Sequence, residues 1–113
     1  MKNVRLIASI AAGSLLLGAS ALAEDDAKVA RAWKAKCASC HGQTGKGDTD
    51  KGKELKAEDM TTAKYAAKKD DDLKKAITDG IKVDGKEVMQ GFKDELTPEQ
   101  VDALVKYSRS FKK

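Results

Sequence analysis

Large apolar side chains are scarce in this chain. Beyond an N-terminal stretch of 23 residues, Leu, Ile, Val and Phe together number 13 of 90. A composition so poor in them usually fails to fold unaided. Cysteine does not make up the deficit, because two cysteines provide no disulfide framework. Histidine occurs once, so Cys and His alone cannot complete a closed four-ligand zinc site. The glycine-rich segment Gly42-Gln43-Thr44-Gly45-Lys46-Gly47-Asp48 has no strand before it and no Gly-Lys-Ser/Thr after it, which argues against a phosphate-cradling loop. Internal repeats, low-complexity tracts and a second domain are absent too. So is a strong charge imbalance. Of 22 basic and 18 acidic residues, Lys2 and Arg5 fall in the N-terminal stretch, which leaves +2 for the remainder. Lysines interspersed with Asp and Glu describe a solvated surface, and nucleic acid is not an expected partner.

What is present is organised around Cys37-Ala38-Ser39-Cys40-His41. Two cysteines three residues apart, followed at once by histidine, form the attachment signature of c-type haem. On a helical or near-helical turn the two sulfurs lie close enough to form thioethers with both vinyl groups of one porphyrin. The next side chain then presents an imidazole to the iron. Other readings fit less well. A redox dithiol is expected within a βαβ pattern, which is missing here. Zinc would need Asp, Glu or another protein to complete its ligands, and a disulfide across two residues would staple nothing. A buried porphyrin would also supply the apolar mass that the side chains lack.

Residues 1–23 read as a secretory signal peptide. Lys2 and Arg5 form a basic head, Leu6 to Ala19 is apolar apart from Ser and Gly, and Ala21-Leu22-Ala23 offers a small-x-small cleavage site before Glu24-Asp25-Asp26. An uncleaved anchor is the competing reading, since Leu6 to Ala23 carries no charge for 18 residues. The Gly and Ser content and the cleavage site favour removal. No cysteine follows the apolar run to accept a lipid. The expected product is a single domain, residues 24–113, exported to a periplasm with no stable membrane anchor.

The domain reads as all-α. A first helix is expected from about Asp25 to Cys37, with Val29 and Trp33 on one face. A weak second helix is expected over Glu58 to Lys69. A third is capped by Asp70 or Asp71, carries Leu73, Ala76 and Ile77, and stops at Gly80. Val83 to Phe92 reads as an irregular segment. The last helix has Thr97 as N-cap, Pro98 in its first turn and Gln100 completing a capping box. Val101, Leu104, Val105, Ser108 and Phe111 form its inner stripe, with Leu96 stapled onto Val101. The glycines after His41 are expected to let backbone pack close to the haem.

With one histidine available, a second axial ligand must be another residue type, and methionine is the natural candidate because a thioether is soft and neutral. Met60, on the weak helix, fits a packing role. Met89 sits in the irregular segment beside Val88, Gly91 and Phe92, where a loop can cross the opposite haem face, and it is the better candidate.

On these residues the chain resembles the small bacterial class I c-type cytochromes. The resemblance covers residues 27–113 and rests on Cys37-Ala38-Ser39-Cys40-His41-Gly42, on Gly85-Lys86-Glu87-Val88-Met89-Gln90-Gly91-Phe92 and on Leu96 to Tyr107. It implies about four helices wrapped around one covalent haem c, with the N- and C-terminal helices crossing at Trp33 and Tyr107. It further implies thioethers from Cys37 and Cys40, proximal ligation by His41 and distal ligation by Met89. Three residues depart from the family pattern. Gln90 stands where proline usually follows the ligand methionine. No proline follows the haem motif to orient the histidine ring, so another carbonyl is expected to accept from His41 Nδ1. Val29 replaces the usual Gly or Ala at the helix crossing, eight residues before Cys37.

Two functions follow from the resemblance. The first is a monomeric, non-enzymatic one-electron carrier between periplasmic donor and acceptor proteins, with Lys34, Lys36, Lys46, Lys86 and Lys93 as a basic rim. The alternative is a haem peroxidase or gas-binding sensor with a labile distal ligand. No second histidine or Arg-plus-His distal set supports it. The scarcity of large side chains predicts that a Cys37→Ser, Cys40→Ser variant without haem is largely unfolded. Circular dichroism should show little helix, and a cooperative thermal transition in that variant would contradict the reading.

Overall fold

The computed structural model describes residues 17–113, with side chains from Asp25 onward. The expected presequence lies outside the described residues except for the backbone of residues 17–23. Helix α1 (Leu17–Lys36) starts eight residues before the expected Asp25. Residues 17–23 are mostly Ala and Leu, the strongest helix formers, and nothing in them stops a helix. At its other end α1 stops at Lys36, and Cys37 becomes the N-cap of α2 (Ala38–His41).

The next 28 residues depart furthest from expectation. A short helix α3 (Asp50–Glu54), not anticipated, is capped by Thr49, whose hydroxyl accepts from Gly52 N. The helix expected over 58–69 shrinks to the single turn α4 (Ala63–Ala66). Local side chains explain the loss. Asp59 Oδ1 accepts from Thr61 N at 2.8 Å and from the Thr61 hydroxyl at 2.6 Å, which closes a turn that competes with helix. The Thr62 hydroxyl then caps α4 by accepting from Tyr65 N. Met60 therefore lies in a turn.

Helix α5 (Asp70–Asp79) ends at Gly80 as expected, but its N-cap is Lys69, without a side-chain cap. Asp70, Asp71 and Asp72 instead occupy the first turn, where negative charge meets the positive end of the helix dipole. The segment expected to be irregular contains a hairpin, β1 (Ile81–Val83) and β2 (Lys86–Met89), antiparallel. Asp84 and Gly85 both have positive φ, 53° and 77°, the signature of the type I′ turn for which Asp-Gly is a preferred pair. Ile81 pairs with Met89 but Lys82 with Glu87, so Val88 is an extra residue in β2. Such a bulge twists the strand, and Val88 and Met89 are both half-buried although they are consecutive.

Helix α6 (Pro98–Arg109) forms as read. Thr97 Oγ1 accepts from Gln100 N and Gln100 Oε1 accepts from Thr97 N, both halves of a capping box. Val101, Leu104, Val105 and Ser108 are buried; Phe111 lies just beyond the helix end but packs on the same core. That core comprises Trp33, Met60, Tyr65, Leu73, Phe92, Leu96, Val101, Leu104 and Val105. Helices α1 and α6 meet where the Trp33 and Tyr107 rings lie 5.3 Å apart. Val29 and Ala103 both line two shallow grooves of about 290 and 340 Å³ beside that crossing. The architecture is helical, with one small hairpin.

Helix α6 is tied to the α4–α5 region by polar bonds. Arg109 donates to Ala66 O and Lys68 O and pairs with Asp70. Tyr65 Oη donates to Ser108 Oγ at 2.7 Å, and that hydroxyl donates onward to Val105 O. Burial raises the Tyr65 phenol above its ordinary value, against a smaller opposing effect of the Ser108 bond. The raised value means that the folded state holds the protonated phenol. Its contribution is complete below about pH 10 and is lost as pH rises through the higher folded value. Tyr65→Phe should therefore cost about 1 kcal/mol at neutral pH. The gap between variant and parent should narrow in urea melts as the pH is raised above about 10. A gap equal at neutral and high pH would contradict the assignment.

Candidate functional site

The Cys37–Gly42 turn is held by an almost complete set of backbone partners. Cys37 N donates to Trp33 O at 2.8 Å, which joins the turn to α1. The Cys37 carbonyl accepts from His41 N at 2.9 Å and the Ala38 carbonyl from Gly42 N at 2.8 Å. From outside the turn, the Thr49 hydroxyl lies 2.8 Å from Ser39 O and 3.0 Å from Cys40 O, so its one proton is shared between them. Gly47 N donates to His41 O at 2.9 Å. The buried Trp33 Nε1 donates to Gly42 O at 3.0 Å. Each of the six carbonyls from Cys37 to Gly42 thus has a donor, which fixes the conformation of the turn in the folded protein.

Two glycines allow that closeness. A side chain on Gly52 would collide with the Cys40 carbonyl, so α3 packs directly on the back of the motif. Gly45 lies beneath the Phe111 ring, where a Cβ would stand 2.5 Å from the ring edge. Of the glycines that follow His41 in the loop, Gly45 is thus occupied in bringing protein against protein. Sequence reading missed Thr49 and Gly52. A threonine directly before Asp50 was the available signal for a helix N-cap.

Behind His41 stands an aromatic cluster built from three of the chain's five aromatic residues. The Trp33 ring lies 5.8 Å from the imidazole and 5.3 Å from both Tyr107 and Phe111. His41 Nδ1 is buried and has no hydrogen-bond partner. The carbonyl acceptor expected for it is therefore missing, and the neighbouring Gly42 carbonyl is taken by Trp33. Burial also lowers the His41 pKa, which keeps the ring neutral, the form that binds a metal.

Cys37 and Cys40 are both free thiols and both half-buried. Burial, opposed by Lys36 and reinforced by Cys40, pushes the Cys37 thiol up to about 11. A redox dithiol needs a lowered value, so this environment argues against that chemistry. Among the described residues no group of three or more His, Cys, Asp and Glu side chains is arranged to hold a metal ion. The donor set suits a haem instead: two thiols one turn apart, and an imidazole whose Nδ1 points into the protein and so leaves Nε2 for iron.

Met89 ends β2 and packs, half-buried, on the same core as Cys37 and Ala38. Met60 is buried within that core. The chain after Met89 returns to the motif through Lys36, which pairs with Glu95 at 3.5 Å and lies over the Phe92 ring. Lys36 is thereby removed from the expected basic rim, while Lys34, Lys46, Lys86 and Lys93 remain exposed.

Residues 24–107 match the family model described as cytochrome c oxidase, cbb3-type, subunit III. Among solved structures the chain is similar to a KustC0563 c-type cytochrome, at 36% identity and a TM-score of 0.67, over 74% of this chain and 96% of that one. A tyrosine-to-phenylalanine mutant of Kustc0563 matches at 35% identity and a TM-score of 0.65, over 74% and 98% of the two chains. No curated protein matches.

Because the Thr49 hydroxyl both serves two motif carbonyls and caps α3, Thr49→Val should destabilise the holoprotein by about 1–2 kcal/mol. Thr49→Ser should restore most of the loss. Denaturant melts of the three proteins measure this, and equal stability of the Val and Ser variants would show the hydroxyl to be dispensable.

Proposed function

The chain belongs to the small class I c-type cytochromes, and from that premise we propose that it is a periplasmic, single-haem carrier of one electron between partner proteins. The family implies haem c and haem-based electron transfer. The observation that carries the finer reading is the fixed Cys37–His41 turn, which presents two thiols and one neutral imidazole from a single rigid segment. Cys37 and Cys40 would hold the haem through thioether bonds, and His41 Nε2 and the Met89 sulfur would ligate its iron. Bound there, haem supplies a reversible one-electron iron couple.

The protein's own residues keep that couple simple. The thioethers prevent loss of the group during redox cycling. Trp33, Tyr107 and Phe111 exclude water behind the imidazole and hold its plane. Val88 and Phe92, flanking Met89, exclude water on the other side. A neutral donor pair favours the ferrous state and raises the potential. The exposed Lys34, Lys46, Lys86 and Lys93 offer a weak, solvated surface that speeds encounter with acidic partners and permits fast release.

Export through cleavage after Ala23 completes the proposal, giving a 24–113 domain. No described helix is long and apolar enough to cross a membrane. A pyridine haemochrome assay on the periplasmic fraction tests attachment and location together, and absence of covalent haem there would end the proposal.

Ligand replacement tests the site. Met89→Ala should keep the haem, lower the potential and open the iron to CO. Met60→Ala should leave the iron's spin state unchanged and cost about 2–4 kcal/mol of stability, because Met60 is core. An unchanged potential and continued indifference to CO in Met89→Ala would exclude Met89 as the ligand.

A further inference from the structure

The Met89 hairpin rests on the end of α5 at two glycines. Gly80 follows α5 directly, and a Cβ on it would stand 2.5 Å from Met89 O and 2.6 Å from Gly91 N. Gly91, two residues beyond Met89, lies against the last turn of α5, where a Cβ would stand 2.7 Å from Thr78 O and 2.8 Å from Asp79 C. Real Cβ atoms do not approach so closely, and every neighbour named is backbone, which cannot rotate away as a side chain can. Two hydrogen bonds lock the same junction: Phe92 N donates to Ile77 O at 2.8 Å and Lys93 N to Thr78 O at 3.2 Å. The ladder pairs Met89 with Ile81, the residue after Gly80, and the Val88 bulge turns the Met89 side chain inward.

From this we infer that Gly80 and Gly91 are positioning residues for the Met89 sulfur: their bare Cα atoms set the depth at which the hairpin base seats on α5, and so the reach of the thioether toward the iron. The inference rests on the reading of Met89 as distal ligand. A methyl group at either glycine must lift the hairpin base away from α5. The thioethers, His41 and the aromatic cluster stand on α1, α2 and the C-terminal segment, outside that contact. Displacement should therefore weaken the iron–sulfur bond while the haem remains attached.

The test uses ferric and ferrous holoprotein of the parent, Gly91→Ala, Gly80→Ala, Gly85→Ala and Met89→Ala. Gly91→Ala is the cleaner substitution, because Gly80 also has a φ of +77°. Gly85→Ala is the control. It strains the hairpin tip, φ +77°, but its Cβ meets no heavy atom within 4 Å. Haem content and far-ultraviolet circular dichroism report folding. The red charge-transfer band of methionine-ligated ferric haem, CO binding and the midpoint potential report the sulfur. Gly91→Ala and Gly80→Ala are expected to keep haem and helix, lose most of the band, bind CO and fall in potential toward Met89→Ala. Gly85→Ala is expected to keep the band.

The failures are separable. If Met89→Ala itself keeps the band and ignores CO, the ligand assignment falls and the inference with it. If Met89→Ala changes both while the Gly80 and Gly91 variants match the parent, only the positioning role is overturned. It is also overturned if Gly85→Ala loses the band as fully as Gly91→Ala, since turn strain would then be the cause. Failure of both Gly80→Ala and Gly91→Ala to accumulate as folded holoprotein would make the contact a requirement for folding and would likewise overturn the positioning role.

Discussion

The bond from Trp33 Nε1 to Gly42 O is the constraint on which the site depends. It fastens the far end of the haem-binding turn to the helix that precedes it, while Cys37 N on Trp33 O fastens the near end. One residue therefore holds both ends of the motif, once with its backbone and once with its side chain. A buried indole N–H costs free energy if unpaired, so breaking the bond leaves Trp33 Nε1 unsatisfied and Gly42 O with only the longer bond from Gly45 N, 3.3 Å. The ring also forms the wall behind His41 and the contact with Tyr107 on α6. Interhelix packing and ligand orientation are in this way consequences of the same side chain.

That economy matters because the chain has little else to bury. Among the described residues nine hydrophobic side chains form the core, and most of them are of modest size. Close backbone approach takes the place of bulk. Gly45 admits the Phe111 ring, Gly47 meets Ala57, Gly52 meets Cys40, and Gly80 and Gly91 seat the hairpin. Hydrogen bonds from Thr49, Tyr65 and Arg109 then replace some of the cohesion that larger apolar residues would supply. Measured against chain entropy, such bonds contribute modestly one by one. The haem that the family implies would supply the apolar mass that these residues lack.

The parts legible in the sequence were those with local, short-range causes. Thr97-Pro98-Glu99-Gln100 encodes a helix start through its own hydrogen bonds, and α6 begins there. Gly80 encodes a helix stop, and α5 ends there. The Cys37–His41 pattern is legible because its chemistry demands that spacing. Three features were harder to read. The helix expected over 58–69 had helix-forming residues, but the Asp59 carboxylate and the Thr62 hydroxyl won the competition for backbone N–H groups. The hairpin was signalled by Asp84-Gly85, yet its strands are only three and four residues long and mostly exposed, so no alternating apolar pattern marks them. The partner of His41 Nδ1 was sought among carbonyls, and the nearest in sequence proved to be committed to Trp33. Long-range claims on a group cannot be seen from its neighbours.

The two sides of the proposed haem site are built to different standards of rigidity. On the proximal side the motif's six carbonyls are all occupied, and α1, α3 and the glycine loop converge on one turn. On the distal side Met89 ends a two-stranded ribbon with exposed Ile81 and Val83, and such a ribbon is marginal by itself. Cytochromes of this class usually fix the backbone after the methionine with proline; Gln90 gives no such restriction on φ. The rigidity must then come from outside the segment. The Gly80 and Gly91 contacts supply it by steric fit, and Phe92 supplies it by burial and by its bond to Ile77. Each of these acts through α5, so Met89 inherits its position from that helix, whereas His41 inherits its position from α1. Helix α6 joins the two frames, touching α1 through Tyr107 and α5 through the Lys74–Asp102 pair. The separation between His41 and Met89 is therefore set by how α1 and α5 pack on α6, and it is in that packing that a change far from the proposed site would reach it.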